Sequence, residues 1–395
     1  MASTLLQELL NKPVGPQLAA TKTNDEYFTR QIEISGDTAS VTVRAEPGQG
    51  DETTARALLR AQGEDPDEWE ATGFKTGEWT TPNGATGESS RYTFRRVASP
   101  GRLRVPVDEL LAGVQDHRPT FDRPDGDHGF LVVLGDMQFG KIDGDGPEGA
   151  LARTIACLDR AADRLLAYHA LFDIGHVHIA WMGDHIEGFV SQSGSNVWRT
   201  QLTLNEQIRL TRRVMLHALK LFSPLAVKVT MAAVPGNHGE AVRFSGKGIT
   251  RYDDSHDTES LIAVADAASL NPEAFGHVRF YVPDTDELTV LAEVAGTRVA
   301  HAHGHAWRPG KHFEWWRGQA FDKQSAMHGA DLLLAGHLHH EFVDTDGART
   351  FIQPPAMESE STWWRHAKGT IGAPGLVIAI TKNGITDLKE VVRAA

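Results

Sequence analysis

Five short fragments, each following an apolar run, constrain this chain more than any other feature. They read Gly-Asp-Met-Gln at 135–138, Gly-Asp-His at 183–185, Gly-Asn-His at 236–238, His-Gly-His at 303–305 and Gly-His-Leu-His at 336–339. Each puts a carboxylate, amide or imidazole where a buried strand is expected to end. In open α/β sheets, sites collect at the carboxyl ends of strands. The pattern therefore predicts an α/β fold in which several strand ends converge on one set of metal-binding side chains.

The bulk properties fit a soluble globular protein. The 395 residues exceed one ordinary domain, and 41% hydrophobic with 23% charged residues is a globular composition. The first residues, Met-Ala-Ser-Thr-Leu-Leu-Gln-Glu, lack a basic stretch leading into an apolar one, so no signal peptide is expected. No apolar run approaches the roughly 20 residues that span a bilayer. The single cysteine, Cys157, excludes an internal disulfide framework and fits a reducing, cytoplasmic location. It lies in an amphipathic helical pattern and is expected in the core. A net charge of −13 argues against a uniformly basic nucleic-acid coat but leaves room for a local basic groove.

Two regions are expected. Residues 1–126 read as a small N-terminal α+β domain with a linker, and 127–395 as the catalytic domain with a β-rich C-terminal part. In the first, a helix over Glu52–Gln62 precedes a hairpin formed by Phe74–Trp79 and Arg91–Val97. The stretch 91–104 carries five arginines and no acid. That combination suits a winged-helix-like nucleic-acid module; the alternative is a small appendage with a solvated basic edge. Asp116–Asp127, rich in Pro, Asp and Arg, reads as linker. In the second region, strands are expected at Phe130–Leu134, Val177–Met182, Val227–Val234 and Asp331–Ala335, with helices near 148–172, 199–222, 257–269 and 312–328. Strands at Phe351–Gln353, Leu376–Thr381 and Ile385–Val392 follow.

The ordered fragments resemble the calcineurin-like metallophosphoesterase superfamily, whose pattern runs Asp-X-His, Gly-Asp, Gly-Asn-His, His, Gly-His-X-His. The resemblance covers about residues 128–345 and extends to phage-encoded and repair-nuclease-type members, some with an extra N-terminal domain. It implies a two-sheet β-sandwich flanked by helices, holding two divalent cations, manganese first, with zinc or iron as alternatives. By position, Asp136, Gln138, Asp184 and His339 would hold one metal. Asp184, Asn237, His303 and His337 would hold the other, with Asp184 bridging. His238 would be the catalytic histidine that is not primarily a ligand. One position departs from the family: its first-motif histidine is Gln138 here. An amide oxygen can ligate, but more weakly than imidazole.

Other residues have weaker signals. Lys141, His185, His305 and Arg308 are candidate substrate contacts, as are Arg199 and Arg365. Glu187, three residues after Asp184, would orient a ligand or cap a helix. Trp315-Trp316 and Trp363-Trp364 would stack on bases or fill the core. Gly135–Lys141 mimics a phosphate-binding loop, but Ile142 stands where a hydroxyl should hold magnesium. Asp143 and Asp145 hint at a calcium loop without its closing glutamate. The expected function is a two-metal phosphoesterase acting on phosphodiesters, with DNA as substrate. A nucleotide or cyclic-nucleotide phosphodiesterase and a catalytically silent scaffold are the alternatives.

Overall fold

The computed structural model describes residues 18–19, 30–35, 38–45, 51–66, 69–80, 86–96, 114–118, 122–189, 200–241, 243–244, 247–248, 251–359, 365–366, 369 and 372–394. Arg102, Arg104, Arg199, Trp363 and Trp364 lie outside the described residues. Residues Gln7–Val107 form one compact unit, and Asp108–Ala395 belong to a larger one.

The smaller unit is built on β1 (Leu18–Ala19), β2 (Arg30–Ser35), β3 (Thr38–Ala45), α1 (Glu52–Ala61), β4 (Trp69–Thr80) and β5 (Thr86–Arg96). The strands form one antiparallel sheet in the order β1-β2-β3-β5-β4. Asp51 caps α1 by accepting from the Thr54 amide at 2.9 Å. Ala55 and Leu59 of α1 pack on Ile32, Val41, Val43, Trp69 and Phe94, so alternate residues of β2, β3 and β5 face the helix. The opposite face presents Arg91 and Arg95, with Lys75 beside Arg91 in register. The sequence pointed to the helix and the basic hairpin. It did not point to β2 and β3, whose short alternations precede the helix and turn the hairpin into part of a five-stranded sheet.

The larger unit contains β6 (His128–Leu134), α2 (Gly146–Tyr168), β7 (Ile174–Trp181), α3 (Leu204–Phe222), β8 (Lys228–Ala233), the short β9 (Arg243–Phe244) and β10 (Lys247–Gly248), α4 (His256–Ser269), α5 (Pro272–Phe275) and β11 (Val278–Tyr281). It continues with β12 (Thr289–Val294), β13 (Thr297–Ala302), α6 (His312–Ala320), β14 (Leu332–Leu334), β15 (Phe342–Asp346), β16 (Arg349–Gln353), β17 (Leu376–Lys382) and β18 (Ile385–Val392). Six strands make one sheet, β11-β8-β7-β6-β17-β18, parallel from β11 to β6 and antiparallel beyond. Five make the second, β12-β13-β14-β16-β15, whose central pairs are parallel.

The two sheets pack face to face, and their inner residues form one core. Leu131, Val133, Ala180, Ala232 and Val377 meet Val290, Val299, Leu332, Leu334 and Ile352 there. Helix α4 contacts β8 and β11, α3 lies between α2 and α4, and α2 also reaches β18. Trp316 of α6 packs with Leu333 and Phe351 on the second sheet. Sheets covered on both sides explain why Phe130–Leu134 of β6 and Leu376–Ile380 of β17 read as unbroken apolar runs. This is the expected helix-flanked sandwich, and the smaller α+β unit accompanies it.

Two expectations shift. Helix α6 stops at Ala320, well before 328, because Phe321 to Ala330 form turns that return the chain to β14. The segment read as linker belongs to the larger unit, although most of its described residues are exposed. Asn271 Nδ2 donates to the carbonyls of Val114 (2.7 Å) and His117 (3.0 Å), and His117 stacks on Phe275. Its polar composition conceals how much of its backbone is hydrogen-bonded.

A polar chain crosses the apolar core. His176 Nε2–H donates to Thr230 Oγ1 (2.9 Å), whose hydroxyl donates to His178 Nδ1 (2.7 Å). His178 Nε2–H then donates to His301 Nε2 (2.8 Å), and His301 Nδ1–H reaches the Val290 carbonyl (3.2 Å). This is the tautomer assignment that gives each bond one donor. Burial pushes His176 and His301 down to about 4 from the ordinary 6.5, and holds His178 well below 6.5 as well. The unfolded chain therefore binds more protons between 6.5 and about 4, so stability is present above 6.5 and is lost as pH falls through that window. Urea denaturation at a series of pH values is expected to show this decline, and His176→Gln should flatten it.

Candidate metal centre

The centre lies where five parallel strands end. Asp136 follows β6, Asp184 follows β7, Asn237 follows β8, His303 follows β13 and His337 follows β14. Asp136 and Asp184 are buried to 0% and 1% exposure. Removing two carboxylates from water is costly unless opposite charge or amide donors accompany them. Asp184 Oδ1 accepts from the His238 amide at 2.8 Å, and Asp136 Oδ2 from the His337 amide at 2.9 Å.

The remaining carboxylate oxygens face imidazoles. His303 Nδ1–H donates to the Met182 carbonyl at 2.6 Å, which leaves the Nε2 lone pair toward Asp184 Oδ2 at 3.0 Å. Two acceptors thus face each other across a gap that a cation or a proton must fill. Ligand atoms of Asp184, His303 and His337 lie within 4.8 Å of one another. Asp136 Oδ1, Asn237 Oδ1 and His303 Nε2 are buried without a hydrogen-bond partner among the described residues. Buried acceptors left this way, of the oxygen and imidazole types that divalent cations favour, fit a metal.

The electrostatics agree. Burial opposes charge on His303, but the facing Asp184 carboxylate raises it to about 9. His339 rises to about 10 against burial because Asp136 and Glu358 flank it. His337 falls to about 4 through burial and the neighbouring His303. The local excess of negative charge that holds protons on these rings is what a divalent cation would neutralise.

Backbone strain is concentrated here. Asp136 (φ 52°), Gln138 (42°), Asp184 (51°), His337 (72°) and His339 (58°) are five of eight described non-glycine residues in the left-handed region. At Asp136 and His337 the turn falls on the ligand residue itself, Gly183 (φ 83°) shares it with Asp184, and Gly236 and Gly336 give room. A Cβ at Gly236 would collide with the Asp184 carboxylate, and one at Gly336 would sit 2.8 Å from Asp136 Oδ2.

His238 is 7% exposed, and its Nδ1–H donates to the Glu187 carbonyl (3.1 Å) with the Glu187 carboxylate 3.3 Å away. Glu187 therefore orients His238 and is no helix cap. Burial works against charge on His238, yet Asp184 and Glu187 raise it to about 9.

The expected substrate contacts divide. His185 is fully buried, with its ring against Trp181 and Asp257, so it supports the centre from below. Lys141 is tied to Gln138 Oε1 (2.8 Å) and Glu358 Oε2 (3.0 Å). His305 lies with its ring near His303 and His337, and Arg308 is exposed after β13. Trp316 is core, donating to the Met327 carbonyl at 3.2 Å, while Trp315 packs on Trp307. Asp145, one of the calcium-loop decoys, pairs with Arg153 at 2.7 Å.

Two further residues had no sequence signal. Glu358 Oε1 accepts from His339 Nδ1 at 3.0 Å, turning Nε2 toward Asp136. Asp257, near the start of α4, accepts from the amides of Asp184 (3.0 Å), His185 (3.0 Å) and Gly236 (2.9 Å). It binds the loops after β7 and β8 together. An aspartate in a first helical turn beside Ser255 looks like any cap, so nothing in its spacing set it apart.

No family model matches the chain, and no curated protein matches it. Among solved structures it is similar to a conserved uncharacterized protein, a predicted phosphoesterase, from Streptococcus pneumoniae, at 14% identity and TM-score 0.30, covering 68% of this chain and 90% of that one. It is similar to Vacuolar Protein Sorting 29 from Cryptosporidium parvum at 13% and 0.31, covering 67% and 97%. It is also similar to Vps29 from Entamoeba histolytica complexed with Zn2+, at 12% and 0.26, covering 67% and 99%. Likenesses this slight do not bear on the site, which stands on its own geometry.

Replacing Asp257 by alanine leaves three buried amides without their acceptor, a loss of at least about 3 kcal/mol. Metal affinity should fall by about 10–100-fold as Asp184 loses its support. Thermal melting and titration with Mn2+ check both, and Asp257→Asn should show the smaller effect.

Proposed function

We propose that this chain is a metal-dependent phosphoesterase that cleaves phosphodiester bonds, with DNA as its substrate. The observation that carries this reading is the cluster of Asp184, His303 and His337, in which an imidazole lone pair faces a carboxylate 3.0 Å away in a buried site. Asn237, whose buried Oδ1 lacks a hydrogen-bond partner, would complete the donor set. A divalent cation held there supplies Lewis acidity toward a phosphoryl oxygen and lowers the pKa of water.

The chain's own residues do the rest. Asp184 anchors the donor set, and its second oxygen is held by the His238 amide. Glu187 fixes the His238 ring through Nδ1, next to Asn237 in sequence. His238 is thereby placed to protonate a leaving oxygen or to stabilise charge developing on phosphorus. The second cation expected from the resemblance would rest on Asp136, Gln138, His339 and the bridging Asp184, a position with its own complication.

A polymeric substrate is supported by the smaller unit, one sheet face of which carries exposed Lys75, Arg91 and Arg95, with Glu70 opposite Arg95. Such a face suits phosphate contacts. Manganese is the first metal to test, since the donors mix carboxylate and amide oxygen with imidazole.

Purified protein with Mn2+ is expected to degrade single- or double-stranded DNA and to hydrolyse a bis-aryl phosphodiester. Asp184→Asn should abolish metal binding and turnover together. His238→Ala should keep the metal while turnover drops by about 10²–10⁴-fold. Activity confined to nucleotides would replace the nuclease reading with a small-molecule phosphodiesterase. Inactivity on every substrate by protein that binds no metal would leave a silent scaffold.

A further inference from the structure

We propose that Lys141 makes the centre unequal, with one tight cation position at Asp184, His303 and His337 and a weak one at Asp136 and His339. The inference rests on the metal-centre reading above and concerns the side of the site where Gln138 replaces the expected imidazole.

An ammonium group can only donate, so Lys141 Nζ, 2.8 Å from the Gln138 side chain, fixes the amide oxygen toward itself. The amide nitrogen of Gln138 then points the other way and lies 3.4 Å from His339 Nε2. His339 Nδ1–H is committed to Glu358 Oε1 at 3.0 Å, so Nε2 is the atom left to ligate a metal. Gln138 therefore presents a donor to the atom that would have to ligate a metal. It withholds its oxygen from the cation and sets an amide N–H beside the nitrogen that would ligate.

Lys141 is built into this arrangement. It lies three residues after Gln138 in a turn closed by its own amide donating to the Gln138 carbonyl at 3.1 Å. Its side chain is 13% exposed, and its ammonium pairs with Glu358 Oε2 at 3.0 Å. One carboxylate thus serves both His339 and Lys141. The ammonium adds positive charge beside the weak position, which opposes a second divalent cation there. Asp136 Oδ1, buried and 3.3 Å from His339 Nε2, still offers a foothold, so the position is weakened and not abolished.

The test is cation stoichiometry, by isothermal titration with Mn2+ and Zn2+ and by elemental analysis after gel filtration. The full-length protein is expected to retain one equivalent, with a second binding at least about tenfold more weakly. Lys141→Met frees the Gln138 amide to turn its oxygen inward, and should retain two equivalents. Gln138→His supplies an imidazole independent of Lys141 and should do the same, while Lys141→Arg should resemble the parent. The tight equivalent reports in each variant that the site is folded. Two equivalents of matched affinity in the parent would overturn this inference and leave the metal-centre reading standing. A single equivalent in both Lys141→Met and Gln138→His would overturn it equally. No bound cation in any form would overturn the metal-centre reading and this inference together.

Discussion

Burial of the Asp184 carboxylate between two apolar sheets is the constraint on which the rest of the site depends. A carboxylate at 1% exposure must gather compensating donors or cations, and each one found here comes from a different strand end. The His238 amide arrives from the loop after β8 and the His303 ring from β13. Asp257 clamps the Asp184 amide from α4. Strand order makes this convergence possible. Parallel β6, β7 and β8 deliver their carboxyl ends to one edge, and parallel β13 and β14 deliver theirs to the facing edge of the second sheet. The apolar core between the sheets fixes the two edges against each other, so ligand geometry is set by packing that touches no ligand.

That division of labour explains what was legible in the sequence. The strands preceding Asp136, Asp184 and Asn237 are buried and mostly apolar, and their ends are marked by glycine and a ligand-type residue. Periodicity also located α2, α3 and α4 to within a few residues. Strands β2 and β3 escaped notice because they are exposed on one face and short. Asp257 and Glu358 were illegible for another reason. Their importance lies in which amide or imidazole they meet across the fold, and one-dimensional spacing does not carry that information. Gln138 shows the limit most sharply: its identity was plain, yet the direction of its amide is set by Lys141 and by nothing in the motif.

Histidine content illustrates the same point, since one residue type does opposite jobs in adjoining places. His301 and His303 are two residues apart, both fully buried at the end of β13. His301 meets carbonyls and the ring of His178, with no carboxylate partner among the described residues, so burial dominates and it stays neutral to about 4. His303 meets the Asp184 carboxylate, so the same burial is overcome and its ring holds a proton to about 9. In the neutral chain from His176 through His301 each donor has one acceptor. The cluster one layer above is the reverse, with more acceptors than protons. A crowd of histidines therefore identifies a metal centre only when carboxylates share the space. In this fold that boundary falls between residues 301 and 303, where the strand leaves the core and reaches the acidic strand ends.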